Sequence, residues 1–443
     1  MTLIRIALAL LFIMMASIGA SAGEEPVRAR LALIYTGMLS GELEPCGCTA
    51  EGDFGGIRRL ATELDRLRAQ NAGRSVLVST GGLFGTVSPT HEISNRFILE
   101  ATAMLGYDAI GVQWSDLVYG ESFLRAPALP WTATNWIAAD AMPFASEQRF
   151  ERGGLRIAYL HWLRSDASPY RFGAGADARV HDQPGRLRER LRALRAEHDL
   201  IILGVDGHPD NLSRLPLGLV DVLIMPAGTE QTAEPGRIGG AIVLMPGNRG
   251  QQLGRVQLQP DTQGRWQIAD SEVIALAESV PDAPRMADWY ARYERALRED
   301  YDARAAQPSV PGDYLGSRAC ETCHAQAYRH WQGTVHSRAH DALVSVGKQY
   351  DPYCVSCHVI GFGQRGGFTS LEHEPDLRHV GCESCHGPGR AHVRSFAVHK
   401  TRPVDEATCL ACHTRRNSPA FDFRSYLPRI LHGQGAAHSG PAR

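Results

Sequence analysis

The sequence predicts two regions of different class: an α/β domain in front and a small, mostly helical domain behind it. Short apolar runs alternate with amphipathic helical patterns from residue 29 to about 276, whereas such runs are scarce after Tyr314. Eight of the ten cysteines and 13 of the 18 histidines lie beyond residue 300. A chain of 443 residues is long enough for two or three domains.

The first 22 residues predict an export signal. Arg5 is followed by an apolar stretch at 6–18 and by the small residues Ala20, Ser21 and Ala22, a cleavage pattern. The stretch is shorter than the roughly 20 residues that cross a bilayer, although an uncleaved anchor is the alternative. No later segment is apolar enough to cross, so we expect a periplasmic protein without stable membrane insertion. The net charge of −2 and the absence of a long basic run argue against nucleic acid as a partner.

The front domain is predicted at 26–280. Helical periodicity marks 57–70, 95–105 with Gly106 as its C-cap, and 187–197. Apolar runs predict strands at 31–35, 75–79, 109–112, 156–163, 200–205, 220–226, 240–245 and 254–258. Alternating strands and helices favour a layered α/β architecture.

Five front segments resemble the calcineurin-like metallophosphatases, in particular the exported 5′-nucleotidases. They are LIYTGMLSGELEPCGC, GGIRRLATELDRLR, VLVSTGGLFG, MLGYDAIGV and GNRGQQLGRVQL, and they cover most of residues 29–260. The resemblance implies a two-sheet sandwich flanked by helices, with two metal ions at the strand ends.

The metal-binding motifs are where the chain departs from that family. Such enzymes hold two ions with aspartate, asparagine and histidine side chains. The family's motifs fall here on Met38, Leu39 and Ser40; on Gly81 and Gly82; on Gln113, Trp114, Ser115 and Asp116; and on Ala227, Gly228, Thr229 and Glu230. Only Asp116 and Glu230 offer a carboxylate there, and His208 cannot build a dinuclear site alone. We therefore expect that hydrolysis has been lost, with no catalytic residue retained; a surviving metallohydrolase is the rival interpretation.

Residues 281–311 are predicted as a charged helix at 288–305 followed by a Pro-containing linker. Behind it, at 312–443, the motif Cys-x-x-Cys-His occurs four times. Its members are Cys320, Cys323 and His324; Cys354, Cys357 and His358; Cys382, Cys385 and His386; and Cys409, Cys412 and His413. This motif is the signature of c-type haem attachment, because two thiols one helical turn apart reach one porphyrin and the next imidazole reaches its iron. We predict four covalently bound haem c groups, with His324, His358, His386 and His413 as proximal iron ligands.

Zinc ribbons also pair Cys-x-x-Cys units, and exported proteins readily form disulfides. Neither alternative explains a histidine after every second cysteine. A region of about 130 residues with so little aliphatic material would fold poorly alone, which favours haems as its core.

The second iron ligands are expected among nine further histidines, since the region contains no methionine. They are His330, His336, His340, His373, His379, His392, His399, His432 and His438. Histidine on both faces of an iron lowers the reduction potential relative to a methionine–histidine pair.

Three segments between Tyr314 and Val393 resemble the tetrahaem cytochrome c family that accepts electrons from hydroxylamine oxidation. They are YLGSRACETCHAQAYRHWQGTVHSRAH, YDPYCVSCHVIGFG and VGCESCHGPGRAHV. The resemblance implies that His336 and His392 are distal iron ligands and that one haem lacks such a ligand. Residues after 400 match less well, so His432 and His438 are weaker candidates.

Cys46 and Cys48 lie beside the entrance of the degenerate metal site. They predict either a pair of exposed thiols or strained local disulfide, or a redox-active or sulfur-binding dithiol facing the first haem.

Together these patterns predict an exported multihaem cytochrome that passes electrons between periplasmic donor and acceptor proteins, with the front domain docking a partner or presenting the dithiol. One alternative is a haem enzyme that converts a small nitrogen or sulfur compound at an open iron. Another is a haem protein with a purely structural role.

Overall fold

The computed structural model describes residues 30–46, 53–85, 91–137, 144–172, 179–207, 209–228, 231–308, 310–395, 398–415 and 417–432. The predicted export signal and Cys48, His208, Thr229, Glu230 and His438 lie outside these residues.

Two six-stranded sheets form the front domain. The first has the order β14-β13-β1-β4-β5-β6 and the second β11-β12-β10-β9-β8-β7. The first sheet contains β1 (Leu31–Thr36), β4 (Ser75–Ser79), β5 (Ala109–Gly111), β6 (Trp131–Thr132), β13 (Gln252–Pro260) and β14 (Trp266–Ala275). The second contains β7 (Gln148–Arg152), β8 (Leu155–Trp162), β9 (Leu200–Val205), β10 (Val222–Ile224), β11 (Ala233–Ile238) and β12 (Ala241–Met245). A separate two-stranded ribbon joins β2 (Pro45–Cys46) to β3 (Phe54–Gly55).

The sandwich has four layers, and β1 shows why its central strands are largely apolar. Leu31, Leu33 and Tyr35 face the second sheet, whereas Ile34 faces the helices on the opposite side. Both faces are therefore covered, and side chains that alternate across the strand are all buried. The outer layers are α1 (Ile57–Gln70), α2 (Glu92–Leu105) and α4 (Ala287–Ala305) on the first sheet and α3 (Pro184–Glu197) on the second.

The predicted fold class, a two-sheet α/β sandwich followed by a mostly helical region, is confirmed. Each predicted strand and helix overlaps an observed one, with ends within three residues. Gly106 ends α2 in the left-handed conformation, with φ of 66°, as a helix C-cap requires. The strands β6, β7, β11 and β14, which the sequence did not predict, lie at sheet edges. Most residues of β7, β11 and β14 are exposed or half-buried, so the sequences of these three strands lack a continuous apolar run.

In the part of the rear region that the structure describes, there are eight short α-helices. They are α5 (Arg318–Glu321), α6 (Ala325–Gln332), α7 (Ala339–Ser345), α8 (Pro352–His358), α9 (Cys382–His386), α10 (Arg390–Arg394), α11 (Glu406–Leu410) and α12 (Phe423–Tyr426). Helix α4 joins the two regions: it buries Trp289 in the front core and directs the Tyr293 hydroxyl to Asp351 before α8, at 3.4 Å. Among the described residues, no helix is long and apolar enough to cross a membrane.

Candidate functional site

The four Cys-x-x-Cys-His motifs lie on or directly after the short helices α5, α8, α9 and α11. Side-chain caps fix where two of these helices begin. The Asp351 carboxylate accepts the Tyr353 N–H at 2.9 Å before α8, and Asp405 accepts the Thr408 N–H at 2.9 Å before α11. Residues three apart on a helix share one face, so each motif presents two thiols together.

Thiols of different motifs also meet. Cys320 of the first motif contacts Cys382 of the third; this contact raises the pKa of the Cys320 thiol and lowers the pKa of Cys382 to about 7. Cys412 of the fourth motif contacts Cys357 of the second, and this contact, with burial, raises the pKa of Cys412. The first motif therefore lies beside the third and the second beside the fourth, and Cys385 of the third motif also lies near Cys409 of the fourth.

Three of the four motif histidines face a second histidine ring. The centroids are 6.2 Å apart for His324 and His392, 6.0 Å for His413 and His336, and 5.9 Å for His386 and His432. A first-row metal ion with two imidazoles on opposite sides, each bonded at about 2 Å, separates the two nitrogens by about 4 Å. The distance from each nitrogen to its ring centre brings the centroid separation to about 6 Å, so the observed separations fit one metal ion between the rings.

One ring of each pair is held through Nδ1. His392 is bonded to the His399 carbonyl oxygen at 2.8 Å, and His386 to the Arg402 carbonyl oxygen at 3.3 Å. His413 Nδ1 is bonded to the Ser418 hydroxyl at 2.9 Å. A hydrogen bond at Nδ1 orients the ring and leaves Nε2 for a metal ion.

The rings of three of these histidines are held neutral. Burial, followed by the neighbouring His413 and His358, lowers the pKa of His336; burial alone lowers the pKa of His413. The pKa of His432 is lowered by burial and by the nearby imidazoles of His386, His330 and His324. Only the neutral imidazole can bind a metal.

His358 of the second motif differs from the other three. Its Nδ1 lies 2.6 Å from the Ala339 carbonyl oxygen, which also leaves Nε2 for a metal ion. Within the described part of the chain, however, no second histidine ring faces it at the separation of the other pairs. His340 is nearby, but its ring packs against Phe368 and His379.

The remaining histidines are used differently. His373 Nε2 is bonded to the Ala305 carbonyl oxygen, and His379 Nδ1 accepts the His340 N–H. His330 lies 6.4 Å from His432 and is a second imidazole near the third pair. Nothing in the sequence pattern separated His330 from the other spare histidines, because its proximity depends on how the chain returns near residue 432.

The surroundings of the motifs fit a large, flat, apolar prosthetic group. Among the described residues, the buried apolar cluster of this region has six members: Leu343, Val355, Val359, Ile360, Phe368 and Leu377. Eight large apolar side chains of the same region are exposed: Val335, Val344, Val346, Tyr353, Val393, Val398, Leu410 and Leu431. The region thus buries few apolar side chains and leaves more of them uncovered. Thiols, paired imidazoles and uncovered apolar groups are the contacts that a covalently attached haem requires.

The degenerate site of the front domain is closed by hydrogen bonds. The carboxylate of Asp116 is fully buried and accepts the backbone N–H groups of Gly82 at 2.8 Å, Leu83 at 2.6 Å and Gln113 at 2.9 Å. Burial raises the pKa of Asp116 to about 6. Its oxygens therefore serve the turn after β4 rather than a metal ion.

The space for the family's aspartate at Gly82 is filled. A Cβ atom at Gly82 would lie 2.4 Å from the Met38 side chain, and one at Gly81 would lie 2.0 Å from the Gly111 carbonyl oxygen. Within the residues that the structure describes, no group of three histidine, cysteine or acidic side chains could hold a metal ion. Of the two front cysteines, Cys46 pairs through its backbone with Phe54 in the small ribbon.

Comparison with known proteins gives different relatives for the rear and the front region. The family described as cytochrome c554 and c-prime matches residues 319–387. Cytochrome c-554 of Nitrosomonas europaea is 41% identical over 92 residues, which cover 17% of this chain and 39% of that relative. The chain thus spans about two fifths of the length of this curated relative.

The front region is similar to solved nucleotidases. The 5′-nucleotidase precursor of Thermus thermophilus has a TM-score of 0.52 at 18% identity, covering 66% of this chain and 63% of its own. The NAD nucleotidase of Haemophilus influenzae has a TM-score of 0.52 at 14% identity, covering 65% and 62%. At such identities the likeness shows the fold alone. Both resemblances noted from the sequence are thereby confirmed.

Proposed function

We propose that this chain is an exported c-type cytochrome that carries four covalently bound haem c groups and transfers electrons between periplasmic proteins. Each haem supplies an iron that takes up and releases one electron reversibly. The observation that carries the proposal is that three motif histidines each face a second imidazole at about 6 Å, a separation that fits one iron between them. The eight motif thiols form the thioether attachments.

The proposed ligand pairs are His324 with His392, His413 with His336, and His386 with His432. Two imidazoles fill both axial positions, and such irons exchange electrons without binding substrate. Contact between the first and third motifs and between the second and fourth gives electrons a route that does not follow sequence order.

Electron paramagnetic resonance of the oxidised protein tests this assignment. We expect three low-spin signals from the paired histidines and one high-spin signal from the second motif. A protein that lacks thioether-bound haem after acidified acetone extraction would contradict the proposal altogether.

A second function, favoured by His358, is the conversion of a small nitrogen or sulfur compound at an open iron. The ring of His358 has no facing imidazole among the described residues, so the opposite axial position is available to a small molecule. Addition of cyanide or carbon monoxide should shift about one quarter of the haem absorbance, since one motif in four has this arrangement. No shift would leave electron transfer as the only function.

The redox partner that we propose for the end of the chain is acidic. From Arg390 onward the sequence carries nine lysines and arginines but three acidic residues. Arg394, Arg402, Arg415, Arg424 and Arg429 are exposed there. Opposite charge accelerates association, and salt weakens this effect. Arg415→Glu should slow electron transfer with an acidic redox protein, whereas Arg192→Glu on α3 of the front domain should not.

The front domain is proposed to dock a partner without hydrolysing phosphate esters, because Met38 fills the metal position and Asp116 is held by backbone N–H groups. Turnover of a nucleotide with added manganese would contradict this. Cys46 and Cys48 remain a predicted dithiol, and thiol titration of the purified protein distinguishes free thiols from a disulfide.

A further inference from the structure

Glu383 is a buried carboxylate inside the third motif, between Cys382 and Cys385, with 4% of its surface exposed. Its Oε2 accepts the Gly316 N–H at 2.7 Å, its Oε1 accepts the Gly389 N–H at 2.7 Å, and both oxygens lie 3.0 Å from the Leu315 nitrogen. The equivalent residue of the first motif, Glu321, is exposed. Both motifs thus have a glutamate directly after their first cysteine, but only Glu383 is buried.

The three N–H groups that donate to Glu383 belong to segments leading to the first motif and to the histidine that faces it. Leu315 and Gly316 form the turn that leads into α5, where Cys320 of the first motif lies. Gly389 is the N-cap of α10, which carries His392, the histidine that faces His324. The carboxylate therefore joins the helix of the third motif to both sides of the first histidine pair.

A further hydrogen bond supports this junction. The Cys382 N–H donates to the Ser317 hydroxyl at 3.0 Å, and Ser317 is buried. The Gly316 backbone has φ of +83°, and a Cβ atom there would lie 2.7 Å from Asp376. The turn that donates to Glu383 is therefore held in one conformation, with little room to move away from the carboxylate.

Backbone N–H groups surround the carboxylate of Glu383. Among the described residues, no lysine or arginine forms an ion pair with it, and its neutralising contacts are backbone N–H dipoles. A buried charge acts through a low effective dielectric and so over a longer range than a charge in water. A negative charge beside an iron stabilises the oxidised, more positive form and lowers the reduction potential, one of the ways in which a protein tunes haem.

We propose that Glu383 is a positioning residue that fixes the first and third haem sites relative to each other and that its charge lowers the reduction potential of the third. This inference rests on the proposed function, since it requires haem at both motifs. Glu321, exposed to solvent, has neither effect because water screens its charge and it holds no neighbouring segment.

Glu383→Gln tests the charge, with Glu321→Gln as the matched control. Glutamine keeps the shape and one acceptor oxygen but removes the charge. In an optical redox titration of the full-length haem-loaded protein, we expect Glu383→Gln to raise one of the four midpoint potentials and Glu321→Gln to leave all four unchanged. Four unchanged potentials in Glu383→Gln, with four haems bound, would overturn the inference.

Gly389→Ala tests the positioning and covers the case in which Glu383→Gln fails to mature. Gly389 has an ordinary φ of −92°, and a Cβ atom there would lie 3.1 Å from the Glu383 carboxylate oxygen. The charge stays but the junction is displaced. We expect a changed low-spin resonance from the His324 and His392 pair with no rise in any midpoint potential; an unchanged spectrum would overturn the positioning role.

The attachment of haem and the role of Glu383 can be refuted separately. A protein without thioether-bound haem would refute the proposed function. A protein with four attached haems whose potentials and spectra ignore both substitutions would refute only the role of Glu383.

Discussion

The front and rear regions are held together in different ways. Three clusters of buried apolar side chains fill the front domain, between its sheets and beneath its helices. Among the described residues, the rear region buries six apolar side chains around its four cysteine motifs. The front domain therefore has a core built from its own side chains, whereas in the rear region the proposed cofactors are also the core. A fold with its own core does not depend on a bound group for its stability.

Removing one pair of motif thiols should have the largest effect and act only on the rear region. In the double variant Cys382→Ser and Cys385→Ser, the third haem has no attachment, so haem per chain should fall by about one quarter. Helices α9 and α10 should then become sensitive to protease while the front domain stays resistant. Haem content by pyridine haemochrome absorbance and limited proteolysis measure the two results.

The double variant Cys46→Ser and Cys48→Ser is the control, because these residues lie outside the motifs. It should retain all its haem. If the front domain were digested together with the rear region in the motif variant, the two regions would share one core and the contrast between them would fail.

A cavity in the front core should destabilise the front domain alone. Leu64 of α1 is fully buried, and Leu64→Ala should lower the free energy of unfolding by about 2–5 kcal/mol. The haem spectrum should not change. Circular dichroism during denaturation provides the measurement. Met104→Ala on α2, where the side chain is 39% exposed, should cost less than about 0.5 kcal/mol.

His161 should make a separable contribution to the pH dependence of the front domain. Burial between the sheets lowers the pKa of His161 to about 3 from an ordinary value of 6.5. The unfolded chain therefore binds a proton that the folded domain does not, and the contribution of His161 to stability falls as pH falls below about 6.5. Between pH 7 and pH 5 the stability of the wild type relative to His161→Phe should fall by roughly 2 kcal/mol.

Asp116 and Asp206 act with the opposite sign, because burial raises their pKa values to about 6 and about 7. Both are present in wild type and variant, so they cancel in the difference. Parallel stability curves for the two proteins would show that the His161 ring is protonated in the folded domain.

How well the sequence predicts a strand depends on how fully that strand is buried. Strands covered on both faces, such as β4 and β9, have apolar residues through their middle and were predicted at their observed ends. The edge strand β7, with the sequence QRFER, has exposed charged positions, so its sequence indicates a strand only weakly. Such a strand forms because it pairs with a neighbouring strand, and its own sequence does not show that pairing.

The residues of the candidate site also differ in how well the sequence predicts them. The motif predicts the attachment cysteines and proximal histidines directly, because they are adjacent in sequence. The facing histidines lie far from their partners, as with His336 and His413, and only the resemblance suggested His336 and His392. His432 was the weaker candidate, yet its ring lies 5.9 Å from that of His386. The buried role of Glu383 has no sequence signal, since Glu321 occupies the same motif position.

The smallest expected effect tests whether the two regions are coupled. Lys348, six residues before Cys354, pairs with Glu44 of the front domain at 2.6 Å and also contacts the Tyr290 hydroxyl of α4. The two charged side chains are 23% and 20% exposed, so solvent screens the pair and it should contribute no more than about 1 kcal/mol. A double-mutant cycle with Lys348→Met and Glu44→Gln measures this coupling in the unfolding free energy of the front domain. If the two regions unfold separately, the two substitutions should show almost no coupling in the unfolding free energy of the front domain. The exposed pair Arg96–Glu92 is the control, and its coupling should also be small. A coupling near 1 kcal/mol would instead mean that the rear region is still docked when the front domain unfolds, and the two regions would then form one cooperative unit.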